Sequence, residues 1–304
     1  MNRAVAVAFC TDQFMEAPLH VAMSSLLRNL AAGFSARFYL ILTGFTPKKL
    51  AHLRQTLDAT QREYTLQLLD PVDTSIFDAF PDLHGSRTTY HRLLLPDLVS
   101  EPRLLYLDSD ILVETDIAPL FELDMGQAPI GTIISGSVQW ALDREFQYSV
   151  GRKPGDPSFN AGVVLFNLTE WHRQECTQKV FAFGREHGAR MCNRDESLLN
   201  ALFANSCCCR LDRKFNFRAV PETDPATIPA QAIVHYIGSP KPWDICGRYV
   251  HRCAAPWYRA LKQTSVPLLQ RLTWIDRHAW RRLPKIAGGY RRVLRVHLEK
   301  LLGR

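Results

Sequence analysis

The stretch Arg103-Leu104-Leu105-Tyr106-Leu107-Asp108-Ser109-Asp110-Ile111-Leu112-Val113 sets two carboxylates between two short apolar runs. Runs this short, closed by a polar turn, read as buried strands. In extended backbone, positions i and i+2 face the same way, so Asp108 and Asp110 project together while Ser109 points elsewhere. Paired carboxylates suit Mg²⁺ or Mn²⁺, hard cations that prefer oxygen and keep positions open for phosphate. Alone, two acidic residues near a turn are more often simply solvated. The pair gains meaning from the rest of the chain.

Upstream, apolar runs at residues 4–10, 36–42 and 64–69 alternate with helical patterns. Leu19, Ala22, Met23, Leu26, Leu27 and Leu30 recur at three- and four-residue spacing, as on a helix buried along one face. Thr46-Pro47 has the form of a helix start. Downstream, 129–134, 161–166 and 232–236 read as further strands, and 221–229, with three prolines, as a loop. Strands alternating with helices predict an α/β fold: a mostly parallel sheet covered on both sides. Ligands of such sheets sit beyond the carboxyl ends of the strands. Cys10-Thr11-Asp12, Asp108-Ser109-Asp110 and His235 all fall at or just past such ends. Polar groups from distant sequence are thereby expected at one rim.

The chain has 304 residues, 46% hydrophobic and 22% charged, enough for one large domain with an appendage. No apolar run approaches the roughly 18 to 20 residues that cross a bilayer. The opening run reads as a first strand rather than a signal peptide. Eight cysteines show no framework or paired C-x-x-C spacing, so reduced thiols are expected. The net charge of +7 is uneven. From Ser265 onward ten basic residues face only Asp276 and Glu299, a net of +8 that leaves the rest near −1. A domain edge is expected near 257–265, dividing residues 1–264 from a basic segment, 265–304. There Leu268, Leu272, Ile275 and Ala279 share a helical face, with Arg277 and Arg281 opposite and Trp274 and Trp280 as interfacial aromatics. Arg271 and Arg282 encroach on that face. Such a helix suits an anionic membrane surface, at about 1 kcal/mol per basic residue. The neutral body lacks the basic–aromatic interleaving of a nucleic-acid-binding surface, so no nucleic acid is expected.

His235-Tyr236-Ile237-Gly238-Ser239-Pro240-Lys241-Pro242-Trp243 offers an imidazole at a strand end, a glycine where backbone can approach a ligand, and one cation. Imidazole beside two carboxylates favours Mn²⁺ somewhat over Mg²⁺. Together with the acidic pair, this segment resembles a family. Residues 105–113 resemble the "LYLDxDxLV" segment of the family 8 retaining glycosyltransferases, and 235–243 their "HYxGxxKPW". Phe159-Asn160-Ala161-Gly162-Val163 is similar to "FNAGV", Thr88-Thr89-Tyr90-His91-Arg92 to "TxYxR", and Phe215-Asn216-Phe217 to a short "FNF" string. The strings run in family order between about residues 4 and 258. They look most like those of bacterial lipopolysaccharide galactosyl- and glucosyltransferases.

The resemblance implies a GT-A fold, the Rossmann-like sheet of nucleotide-diphospho-sugar transferases. It implies that Asp108, Asp110 and His235 hold the metal, and that Gly238 and Lys241 contact the phosphates. Cys10, Thr11, Asp12, Gln13 and Phe14 lie where the family binds uridine. Arg92, Ser109, Asn160, Ala161, Gly162 and Asp195 would complete the donor site, with Asp195 and Glu196 as the catalytic carboxylates. Two departures stand out. Glu196 follows Asp195 where relatives often carry an amide, and could serve as nucleophile, ion-pair stabiliser or helix cap. Ser135 stands where close galactosyltransferases carry an acidic residue, which leaves the sugar's identity open. The expected protein is a Mn²⁺-dependent, retaining hexosyltransferase at the inner face of the cell membrane. It would move galactose or glucose from a UDP-sugar to lipopolysaccharide or a related glycolipid. The alternatives are a capsular, soluble or protein acceptor, loss of transfer activity, or a nucleic-acid-binding protein using the basic tail.

Overall fold

Val5 to Phe9 are all at most 4% exposed, which makes their strand interior to the sheet rather than an edge. The computed structural model describes residues 3–70, 74–78, 80–81, 87–205, 207–267 and 277–301. Its first half alternates as the sequence predicts: β1 (Arg3–Asp12), α1 (Glu16–Asn29), β2 (Phe34–Thr43), α2 (Pro47–Asp58) and β3 (Tyr64–Leu68). β1 pairs in parallel with β2 from Arg3↔Phe34 to Asp12↔Thr43, and β2 with β3. The apolar face of α1 packs over the sheet. Thr46 caps α2, its Oγ1 accepting from Lys49 N at 3.4 Å, with Pro47 in the first turn.

The chain then passes through a 3-10 helix (Thr88–Leu93) and α3 (Leu95–Leu98) into β4 (Arg103–Leu107), β5 (Ile111–Val113) and α4 (Ala118–Glu122). Beyond these lie β6 (Ile130–Thr132), β7 (Ile134–Ser137), α5 (Arg144–Ser149), β8 (Pro157–Phe159) and β9 (Val163–Asn167). Helices α6 (Leu168–Arg173), α7 (Cys176–His187) and α8 (Arg194–Phe203) precede β10 (Cys208–Arg210), β11 (Phe217–Ala219) and β12 (Ile233–Tyr236). The described chain closes with α9 (Gly247–Val250), α10 (Ala254–Lys262) and α11 (Arg277–Leu301).

Seven strands form the central sheet in the order β10-β6-β9-β4-β1-β2-β3. All neighbours are parallel except β9, which runs antiparallel to both β4 and β6. A smaller sheet, β11-β12-β5, pairs His235 of β12 with Ile111 of β5 in antiparallel register. That pairing brings residue 235 beside residue 110. The expected strand at 129–134 divides: β6 joins the central sheet, while β7 turns away to pair with β8. Clusters of buried side chains fill both faces of the main sheet. A third, around Trp243, Trp257 and Tyr236, joins α10 to the small sheet.

Of the apolar face read at Leu268, Leu272, Ile275 and Ala279, and of Trp274 and Trp280, the side chains lie outside those described. Further along α11, Ile286 and Val293 are buried, while Leu294 and Leu298 are exposed. Among the described residues no helix is long and apolar enough to cross a membrane.

Candidate active site

The antiparallel pairing of β4 and β9 places the turn before β9 against the end of β4, where Asp108 N donates to Gly162 O at 2.8 Å. Asp108 Oδ1 accepts from Tyr106 Oη at 2.7 Å and from Arg92 Nη2 at 2.9 Å. Its other oxygen, Oδ2, lies 3.8 Å from His235 Nε2. The same ring nitrogen is 3.1 Å from Asp110 Oδ1. One ligand atom from each of Asp108, Asp110 and His235 lies within 4.8 Å of the other two. Ser109 turns the other way, as alternation requires, and shares a 3.0 Å hydrogen bond with Thr11.

His235 Nδ1 is 2.9 Å from Asn216 Oδ1, while the amide nitrogen of Asn216 reaches Asn160. An amide oxygen only accepts, so Nδ1 donates to it and Nε2 is the ring nitrogen that faces the two carboxylates. An imidazole nitrogen and two carboxylate oxygens gathered this closely could hold a metal ion. Gly162 fits the same reading. A Cβ there would stand 2.2 Å from His235 Cε1 and 2.8 Å from Asp108 Oδ2, so only glycine leaves the ring and carboxylate in place. The donor set fits Mn²⁺ or Mg²⁺ with an orienting amide behind the imidazole.

Lys241 Nζ lies 2.6 Å from Asp110 Oδ2 and also contacts Tyr236 O. Burial pushes the Asp110 carboxyl up, but the Lys241 ammonium and the His235 ring outweigh it and hold the group well below the usual range. Gly238 has φ +72°, the left-handed region that favours glycine.

A cavity of about 120 Å³ opens beside this cluster, lined by Thr89, Arg92, Asp108, Gly162 and the Asn193–Glu196 turn among others. Arg92 bridges Asp108 to Asp195, whose Oδ2 is 3.0 Å from Arg92 Nε. Thr89 Oγ1 donates to Asp195 Oδ1 at 2.5 Å. Burial disfavours the Arg92 charge, but the carboxylates of Asp108 and Asp195 more than restore it. Glu196 does not cap its own helix. Its Oε2 accepts from Asn160 Nδ2 at 2.8 Å and Ala161 N at 3.0 Å, and its Oε1 from Asn193 Nδ2 at 2.5 Å. Burial pushes this carboxyl up to about 7, against the Ala161 hydrogen bond.

The remaining expected residues flank the cluster. Cys10 is buried at the end of β1, its thiol pushed up by burial. Asp12 caps the next turn, its Oδ1 accepting from Phe14 N at 3.0 Å. The Gln13 side chain packs against Gly44, and Phe14 keeps 47% of its surface exposed. Asn216, Thr89, Asn193 and Arg194 were not singled out as site residues, although Asn216 and Thr89 stand in the quoted strings. Arg194 lines the cavity with φ +56°, a strained conformation for a side chain of its size. Ser135, on β7, offers its carbonyl to Arg218 at 3.3 Å.

The family model described as Glycosyl transferase family 8 matches residues 6–246. Glycosyltransferase GlyE of Streptococcus pneumoniae is 31% identical over 53% of this chain, which spans only 38% of that relative's length. General stress protein A of Bacillus subtilis is 24% identical over 81% of this chain and 90% of its own. The lipopolysaccharide 1,3-galactosyltransferase of Salmonella typhimurium is 28% identical over 64% of this chain and 61% of its own. Among solved structures, the galactosyltransferase LgtC in complex with donor and acceptor sugar analogs superposes with a TM-score of 0.71 at 26% identity. It covers 88% of this chain and 99% of its own. The fold is therefore the expected GT-A type, and the chain belongs to glycosyl transferase family 8.

Proposed function

We propose that this chain transfers galactose or glucose from a UDP-sugar to lipopolysaccharide or a related glycan, with retention at the anomeric carbon. The observation that carries the reading is the convergence of Asp108, Asp110 and His235 Nε2 around the space that Gly162 leaves open. In this reading those three side chains hold Mn²⁺, or Mg²⁺ in its place. A divalent cation there neutralises charge on a departing diphosphate. Lys241, already at Asp110, and Gly238 would contact the phosphates. Phe14, with Cys10, Thr11, Asp12 and Gln13 behind it, takes the uracil. Arg92, Asn160, Ala161 and Asp195 bind the sugar.

Transfer breaks the bond between the anomeric carbon and the diphosphate and forms one to the acceptor oxygen. The acceptor's proton goes to the departing phosphate oxygen, so no separate base is required. The oxocarbenium-like sugar needs negative charge nearby, and Glu196, fixed by three donors, supplies it as nucleophile or ion-pair stabiliser. The lipopolysaccharide acceptor is supported by the Salmonella relative and by the basic residues beyond 265, which suit the cytoplasmic face of an anionic membrane.

Purified protein should release UDP from UDP-galactose or UDP-glucose with Mn²⁺ and not after chelation. Asp110→Ala should reduce turnover at least about a hundredfold. Unchanged turnover in that variant would overturn the metal assignment. NMR of the product's anomeric centre tests retention.

A further inference from the structure

The loop from Ile237 to Trp243 is gripped between two glycines. On one side Gly247, opening α9, lies so close that a Cβ would stand 2.0 Å from Lys241 O and 2.8 Å from Pro242 O. On the other, a Cβ on Gly289 of α11 would stand 2.3 Å from Ser239 O and 2.8 Å from Ser239 C. Both obstacles are backbone, which cannot yield as the end of a flexible side chain does. Three residues on, Arg292 donates from Nη2 to Ser239 O at 3.4 Å and pairs through Nε with Glu222 Oε1 at 2.8 Å. Ile286 and Val293, three before and four after Gly289, lie on the same helical face and are buried. Gly288, one residue away, has nothing within 4 Å of its missing Cβ.

We infer that α11 is the positioning element of the loop that carries Gly238 and Lys241: Gly289 and Arg292, seated on Ser239, set where those two groups stand. The inference rests on reading that loop as the donor's diphosphate site. Lys241 also ties the loop to Asp110 at 2.6 Å, so a displaced loop shifts the counter-charge of the acidic pair. Glycine weakens a helix interior relative to alanine, and at 289 the close approach is the physical reason alanine would not serve. At 288 no such reason exists.

The two glycines supply their own control. Gly288→Ala and Gly289→Ala gain the same helix propensity, but only the second drives a methyl into Ser239. In Gly289→Ala the KM for the UDP-sugar should rise roughly tenfold with a much smaller change in kcat, while Gly288→Ala keeps the parent value. Arg292→Ala should move in the same direction, with Arg292→Lys restoring part of the loss. It carries the comparison should Gly289→Ala fail to fold. Deuterium exchange of the 237–243 amides, which needs no donor, should be faster in Gly289→Ala than in Gly288→Ala. Equal donor KM together with equal exchange in the two alanine variants would overturn the inference. A parent protein without affinity for UDP would overturn the donor reading instead, and the exchange comparison would then decide the contact by itself.

Discussion

At the scale of single residues, the site turns on one missing Cβ and one extra carboxylate. Gly162→Ala places a methyl where His235 Cε1 now stands, so the ring must leave its position facing Asp110. Mn²⁺ affinity, read by calorimetric titration, should fall about 10- to 100-fold, the range seen when a ligand's orientation is disturbed. Glu196 tests a different property. Its carboxyl is pushed up to about 7 from the ordinary 4.5, so the folded protein holds a proton that the unfolded chain has already released. Stability from this group is full below about pH 4.5 and is lost as pH rises to 7. Glu196→Gln should therefore raise stability above pH 7 by up to roughly 3 kcal/mol. If the ionised carboxylate serves the sugar, the same variant should lower kcat about 100- to 1000-fold. The parent's activity should then climb through pH 7, a limb absent from the variant. Unchanged kcat with raised stability would leave Glu196 a purely structural group. Asp108, Asp110 and His235 were legible because alternation along a strand and ordered strings are local properties of sequence. The orienting bond from Asn216 and the Thr89–Asp195–Arg92 chain were not, because those partners meet only after folding, Thr89 and Asp195 across 106 positions.

Among the elements, the first half of the sheet followed directly from periodicity. β1, β2 and β3 are long enough to display it, and α2 begins with a recognisable capping residue. Thr46→Ala removes that cap and should cost about 1 kcal/mol, visible as a lower Tm. The loss extends inward, because Lys49 in the first turn pairs with buried Glu16 at 2.9 Å. Strands β8, β10 and β11 went unread for a plain reason: each has three residues, too few to show a period. The reversal of β9 was equally hidden. Apolar content fixes that a strand is buried, whereas direction depends on the path of the connection before it. The division of 129–134 into β6 and β7 has a similar origin, since the two halves pair with different partners.

For the whole molecule, the charge imbalance and the packing of α11 have to be considered together. The helix turns Ile286, Gly289 and Val293 toward the body and leaves Arg291, Leu294, Arg295 and Leu298 exposed. Cutting the chain at 265 would thus disturb the 237–243 loop as well as any membrane contact, and is a poor test of the latter. Arg291→Glu with Arg295→Glu is cleaner. Affinity for vesicles of anionic lipid should weaken by about 1 kcal/mol for each charge removed, with donor KM in solution unchanged. Undiminished vesicle binding would separate the tail's charge from any membrane role. The order of parts along the chain has a further consequence. The carboxylates come from residues 108 and 110, the imidazole from 235 and the brace on its loop from 289. On the ribosome, β1 to β3 can pair early, but a nascent polypeptide cannot bring the three candidate ligands together until residue 235 has emerged. A chain still short of that residue would carry two of the three ligands and no imidazole between them.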